Sequence, residues 1–334
     1  MRNSRGIGEE KMAYIVAHRG ASFCAPENTL SAFRKAIELG ADGIETDVQV
    51  TADHKLVIHH NYSVDGTANA TGKIADMTLE QLQKLDFGSH KGPEFAGERI
   101  ATLDECLDVT RPLTLVNIEL KAPVDRTVPY VKMVVEAVKA HDMVEQTVIS
   151  AFDHSLLRQV KELCPQLRVG GLTASAGMAK NPMFDVLLKI LPTDRALSEV
   201  TMEELALPEE MLAGMAGVDI VAKSPKAAIL ELIHSFAALL PTGATMQQAA
   251  VWLKKQEDLV SYVKELDFKM DYLHPEYHAV LMDDTLVPRL AQMGVGVSPY
   301  TPDTEQELRA LYHAGCYSII TNRPDILMGI RAEV

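Results

Sequence analysis

Four short stretches carry residue types that do chemistry: His18-Arg19-Gly20, Glu45-Thr46-Asp47, His59-His60 and Glu119-Leu120-Lys121. Three carboxylates are hard oxygen donors and suit Mg²⁺ or Ca²⁺ better than a thiol-seeking metal. Arg19 and Lys121 can clamp the oxygens of a phosphate, and two histidines can serve as acid and base. Each stretch also has a plainer reading, and Glu119 with Lys121 alone suits a strand-end ion pair. Jointly the four read as metal-assisted chemistry on a phosphate ester.

These residues sit at or near the ends of apolar runs. Ala13–Ala17 delivers His18, Gly43–Val50 carries Glu45 and Asp47, Lys55–Ile58 ends in His59-His60, and Leu115–Leu120 leads to Lys121. In extended backbone, positions two apart share a face, which pairs Glu45 with Asp47 and Glu119 with Lys121. Alternation does not choose between His59 and His60 while the register is open. Between the first two runs, Pro26-Glu27-Asn28-Thr29 leads into a helix whose stripe is Leu30, Phe33, Ile37 and Leu39. Asn28 and Thr29 both suit its N-cap, and Gly40 closes it. A parallel α/β barrel gathers strand ends at one mouth, and 334 residues accommodate such a barrel.

An apolar fraction of 47% supports a substantial core. The net charge of −14 argues against nucleic acid or an anionic membrane surface as the main partner. An acidic protein acting on an anion must therefore concentrate positive charge locally. Cys24, Cys106, Cys164 and Cys316 are scattered without a CxxC pair, which fits free thiols in a reducing cytoplasm. No segment approaches the ~20 apolar residues of a membrane span. Residues 1–11 are polar, lack the apolar centre of a secretory signal and are expected to be disordered, leaving 12–334 as a single domain.

The ordered set His18-Arg19-Gly20, Pro26-Glu27-Asn28-Thr29, Glu45-x-Asp47, His60 and Glu119-x-Lys121 resembles the glycerophosphodiester phosphodiesterase family. Similarity continues through Gly72-Lys73, Leu85–Ser89, Ile100–Leu103, Ile149–Asp153 and Ile319–Asp325, and covers about residues 13–173 and 267–328. The resemblance implies a TIM-type (β/α)8 barrel with a small insertion after the second strand, about residues 61–111. It implies Glu45, Asp47 and Glu119 as ligands of a divalent metal, Mg²⁺ or Ca²⁺. His18 and His60 become the acid–base pair, and Arg19 and Lys121 the phosphate ligands. The family places an Asp five residues beyond its catalytic histidine, and Asp65 stands there relative to His60, so His59 becomes a flanking residue.

Three departures bear on substrate preference and rate. Asn61 follows His60 where the family usually has Asp, Gly66 replaces an Arg, and Tyr300 replaces a substrate-contacting Trp. The implied activity is hydrolysis of a small glycerophosphodiester to an alcohol and glycerol phosphate. Alternatives are action on lysophospholipids or another bulky phosphodiester, or a non-catalytic phosphodiester-binding barrel.

The family pattern is lost after the fifth strand, Arg168–Thr173, over about residues 174–266. Apolar spacing there predicts a larger helical insertion, with Ala227–Leu240 and Met246–Leu266 as examples and Val218–Val221 as an alternative short strand. Packing on the barrel or on a second copy in a homo-oligomer is favoured over a lid, and Trp252 reads as a packing residue. His274 and His278 have the spacing of a helical zinc pair, but Pro275 places them in a loop after the sixth strand. His54, His90, His141, His154, His234 and His313 are expected to face solvent.

Overall fold

Branched apolar residues favour extended backbone and fill both faces of a covered strand. Among the described residues nine strands form in this way: β1 (Tyr14–His18), β2 (Gly43–Val50), β3 (Leu56–Ile58), β4 (Leu115–Leu120), β5 (Thr147–Ala151), β6 (Arg168–Thr173), β7 (Tyr272–Pro275), β8 (Gly296–Val297) and β9 (Ser318–Thr321). The computed structural model describes residues 12–174, 195–201 and 243–333, with single positions 191, 203, 204, 230, 233, 234, 236, 237 and 240. Eight strands run parallel in the order β8-β7-β6-β5-β4-β2-β1-β9. Tyr317 N–H donates to the Val297 carbonyl at 2.8 Å and Ile320 N–H to the Pro299 carbonyl at 3.0 Å, which nearly closes the TIM-type barrel. The short β3 pairs antiparallel with β2 and stands outside the barrel, so His59 and His60 leave a flanking strand.

Helices α1 (Leu30–Leu39), α2 (Leu79–Leu82), α3 (Leu103–Thr110), α4 (Tyr130–Ala140) and α5 (His154–Leu163) occupy the first half. Thr29 caps α1 by accepting from Ala32 N–H at 3.2 Å, and Gly40 at φ 82° ends it. Buried Phe33, Val134 and Leu157 on the helices pack with Ile15, Ile44, Ile118 and Ile149 on the strands. Truncating one such chain to alanine costs about 3–5 kcal/mol for Phe and about 2–5 for Leu or Ile. Helix α3 lies inside the expected 61–111 insertion yet packs between α1 and α4 as a barrel helix. The stretch before it has its own small core of Val64, Ile74, Leu82, Phe87 and Ile100, joined by Val57.

The run Met246–Leu266, expected as one helix, is two. Asp258 accepts from Val260 and Ser261 N–H at 3.1 and 3.2 Å, ending Met246–Lys255 and starting Leu259–Lys264 afresh. Leu259, Val260 and Val263 join the barrel core. Met246, Ala249 and Leu253 instead build a separate core with Ala174, Leu191, Leu197 and Val200, and Trp252 packs against it. Val218–Val221, most of Ala227–Leu240 and residues 1–11 lie outside the described residues. Among the described residues no helix is long and apolar enough to cross a membrane. Cys24, Cys106, Cys164 and Cys316 are free thiols.

The histidine expectations are corrected at His154, His274, His278 and His141. His154 is buried, because the Tyr262 hydroxyl meets its Nδ1 at 2.5 Å and the Leu172 carbonyl meets its Nε2 at 3.0 Å. Those partners let a polar ring leave water. His274 is in β7 and not in a loop, with Pro275 closing the strand. Gly170 makes room for it, since a Cβ there would lie 2.5 Å from His274 Nε2. His278 opens the next helix, His278–Met282, and is exposed. His54, His90, His234 and His313 are exposed, and His141 is half-buried.

Candidate active site

Register decides which side chains meet. His18 lies opposite Glu45 across β1 and β2, and Asp47 lies opposite Glu119 across β2 and β4. Alternation then turns Glu45, Asp47 and Glu119 to one face at the C-terminal mouth. All three are buried, and their ligand atoms lie within 4.8 Å of one another. Lys121 Nζ stands 2.7 Å from Glu119 Oε1 and 3.3 Å from Asp47 Oδ1. Arg19 takes φ 56° and Gly20 φ 77°, a turn tight enough that a Cβ on Gly20 would lie 2.7 Å from the Ala32 carbonyl carbon. The turn aims Arg19 N–H at Glu45 Oε2, 3.2 Å away, while its guanidinium donates to Glu27 Oε1 at 2.9 Å and its Nε stands 3.7 Å from Asp47 Oδ2.

Packing three carboxylates out of water is unfavourable unless cations share the space. Burial, then the charges of Asp47 and Glu119, push the Glu45 carboxyl well above its usual range. Burial also raises Glu119, although Lys121 opposes it. Asp47 goes the other way: burial alone would raise it, but Lys121, His60 and Arg19 outweigh that and hold it ionised. Burial opposes the Lys121 charge, yet Glu119 and Asp47 keep it firmly protonated. A buried, all-oxygen, electron-rich donor set in which Asp47 Oδ1 has the Lys121 charge at 3.3 Å but no hydrogen-bond partner among the described residues fits a hard divalent cation.

His18 Nδ1 lies 2.6 Å from Asn322 Oδ1, and Asn322 Nδ2 donates to Asp303 Oδ2 at 2.7 Å. Because the carboxylate accepts, the amide nitrogen must face Asp303 and its oxygen must face the ring. His18 therefore carries its proton on Nδ1, leaving the Nε2 lone pair 3.7 Å from Glu45 Oε2. Burial, and then the Arg19 charge, pull His18 down to about 4. His60 is also pulled down to about 4, chiefly by burial, with Asp47 opposing. Its Nδ1 meets Asn61 Oδ1 at 2.8 Å.

His59 has both ring nitrogens occupied, by the Asn61 carbonyl and the Thr67 hydroxyl at 2.8 Å each, and packs edge-on to Phe87. It braces the segment after β3. The His59 and His60 rings both feel Asp47 and Arg19, but His60 also feels Lys121 and acts on His18, so His18, Arg19, Glu45, Asp47, His60, Glu119 and Lys121 come together. Tyr300 stands at the same mouth, its hydroxyl donating to the Thr173 carbonyl at 2.8 Å and its ring edge-on to Phe152.

Sequence reasoning missed the supports. Asn28 is not the N-cap: at φ 58° it donates from Nδ2 to Asp47 Oδ2 at 2.8 Å and accepts from the Thr46 hydroxyl at 2.8 Å. Its place beside Thr29, the true cap, hid that role. Asn322 lay inside the matching run Ile319–Asp325, but nothing local tied it or Asp303 to His18, which is 304 positions from Asn322.

A sequence model of the glycerophosphoryl diester phosphodiesterase family matches residues 18–216, more than half of the chain. A glycerophosphodiester phosphodiesterase of Caldanaerobacter subterraneus is 45% identical over 157 residues, 47% of this chain and 65% of that protein, so the chain spans just under two thirds of that relative. One from Bacillus altitudinis is 33% identical over 183 residues, 54% of this chain and 73% of that protein. In fold, the chain is similar to an Oleispira antarctica phosphodiesterase solved in complex with the product sn-glycerol-3-phosphate. That likeness has a TM-score of 0.63 at 21% identity, over 96% of this chain and 97% of the other. The order of motifs, the barrel and the family match agree, and the chain belongs to the glycerophosphoryl diester phosphodiesterase family.

Proposed function

We propose that this protein hydrolyses glycerophosphodiesters to an alcohol and glycerol phosphate, with a divalent metal held by Glu45, Asp47 and Glu119. The observation that carries the reading is the buried carboxylate trio flanked at one mouth by Arg19, Lys121, His18 and His60. A divalent ion there supplies Lewis-acid polarisation of the phosphoryl group. Arg19 and Lys121 offset the charge that builds on the equatorial oxygens. His18, its Nδ1 proton committed to Asn322, accepts at Nε2 the proton of the attacking hydroxyl, from water or from the substrate's own glycerol. His60, whose Nδ1 meets the Asn61 side chain, would take up a second proton as imidazolium, favoured by the Asp47 charge, and return to neutral imidazole as it delivers that proton to the departing alkoxide. Proton handling of this kind contributes ~10²–10⁴-fold.

The test is release of glycerol phosphate by metal-stripped protein with Mg²⁺, Ca²⁺ or Mn²⁺ restored singly, beside Glu119→Gln. Expected is turnover that returns with metal in the native chain and stays absent in a folded Glu119→Gln variant. Equal turnover in both would refute the assignment. A lysophospholipid substrate is the second reading, favoured by the separate core that follows directly from the mouth end of β6. Comparing a lysophospholipid with glycerophosphocholine separates the two.

A further inference from the structure

Of the two proposed acid–base groups, His18 ends barrel strand β1, but His60 follows β3, which stands outside the barrel. The ladder of β3 on β2 ends with Ile58 opposite Val48, and His59 N–H adds a last bond to the Asp47 carbonyl at 3.0 Å. His60, Asn61 and Tyr62 then run on in neither strand nor helix, so side chains must satisfy and hold their backbone. Gln49 does this from β2. It lies two positions past Asp47, on the same side of the strand, and is 5% exposed. Its Nε2 donates to the His59 and Asn61 carbonyls at 2.7 Å each and stands 3.3 Å from the His60 carbonyl between them. A primary amide has two N–H donors, and here both are spent on the carbonyls that flank His60. Turned over, the amide would set its oxygen against three carbonyl oxygens, so its orientation is fixed. His59 Nδ1 draws in the same Asn61 carbonyl at 2.8 Å.

Tyr62 holds the far end of the same segment. Its hydroxyl donates to the carbonyl of Ala122, the residue after Lys121, at 3.0 Å. Burial raises its phenol, with Lys121 opposing and Glu119 adding, which sets the ring beside that end of the site. The segment that carries His60 is therefore tied at two points. Gln49 ties it to β2, which bears Glu45 and Asp47, and Tyr62 ties it to the turn after β4, which bears Glu119 and Lys121. A group that must reach a reacting oxygen tolerates little play, and a misplacement of about 1 Å can cost about 10²-fold in rate.

We infer that Gln49 and Tyr62 are positioning residues for His60. The Gln49 amide sets the path of the backbone on either side of it, and the Tyr62 hydroxyl sets how far that segment lies from Lys121. The inference rests on the hydrolase reading above and adds two residues that act on the reaction through His60.

The experiment measures kcat and KM for glycerophosphocholine in the native chain, Gln49→Met, Tyr62→Phe, His60→Ala, and each of the first two combined with His60→Ala. Gln49→Met keeps the length of the side chain and removes its donors. The expected result is a kcat lower by about 10²-fold in Gln49→Met and by about tenfold in Tyr62→Phe, with KM near its native value. In the His60→Ala background neither change should lower kcat further, because residues acting through one group are not additive. A native kcat in Gln49→Met, or the same loss again in the His60→Ala background, overturns the inference. Should Gln49→Met fail to fold, Gln49→Asn, which keeps the amide one methylene short of the carbonyls, takes its place in every arm. Nitrogen-15 NMR of the histidine rings in the metal-stripped chain gives a readout independent of turnover. The His60 signals, identified by their loss in His60→Ala, should shift or broaden in Gln49→Met while those of His18 stay in place. His60 signals at their native positions overturn the inference. Absence of hydrolysis in the native chain with every metal counts against the hydrolase reading, and the NMR comparison then decides the positioning alone.

Discussion

Asn28→Ala is expected to destabilise the metal-stripped protein by about 3–5 kcal/mol, far more than loss of a helix cap. Asn28 is 3% exposed and sits at φ 58°. Its Nδ2 bond to Asp47 Oδ2, at 2.8 Å, is charge-assisted and contributes about 1.5–3 kcal/mol. The Thr46 hydroxyl bond to Oδ1, also 2.8 Å, adds about 0.5–1.5 kcal/mol, because the hydroxyl is left buried without its acceptor. Alanine tolerates the left-handed region less well than asparagine, for about 1 kcal/mol more. Asn28→Gly loses both bonds but not the backbone freedom, and should be less damaging than alanine by about 1 kcal/mol. Urea denaturation followed by far-UV circular dichroism measures all three chains. An Asn28→Ala variant within about 1 kcal/mol of the native chain would refute the account of Asp47. Equal losses for alanine and glycine would refute the backbone part.

Two further outcomes are expected. Asn322→Ala should lower kcat about 10²-fold with KM near its native value, since His18 loses the acceptor that fixes its Nδ1 proton. A variant in which KM moves instead would assign Asn322 to substrate contact. Stability should also fall in acid. Burial holds His154 down at about 4, below the ordinary 6.5, so the unfolded chain takes up a proton that the folded chain refuses. That contribution is complete above about pH 6.5 and is lost as pH falls toward about 4. His154→Gln, which can still donate to the Leu172 carbonyl, should flatten the decline between about pH 7 and about pH 5 in urea midpoints. An unchanged slope would show that other groups set it.

The chemistry was legible because it obeys local periodicity. Alternation alone put Glu45 beside Asp47 and Glu119 beside Lys121, and the register of β2 with β4 then merged the two pairs. The choice of His60 over His59 came from resemblance, and in the structure His59 has both ring nitrogens engaged. What local pattern could not carry was anything set by distant partners. Burial of His154 depends on Tyr262, 108 positions away, and the role of Asn28 depends on Asp47 across a strand. The run 246–266 kept its apolar spacing through a break that only the Asp258 cap enforces. Pro275 was a true breaker, but it ends a strand where the sequence reading placed a loop.

The bond between His18 and Asn322 joins the first strand to the turn after the last, across 304 positions. During synthesis the acidic trio and Lys121 emerge from the ribosome long before β9 does. A nascent chain can therefore gather its carboxylates early, while the tautomer of His18 stays unset until β9 docks against β1. The orientation of the His18 ring is in this sense set by nearly the last strand that the growing polypeptide adds.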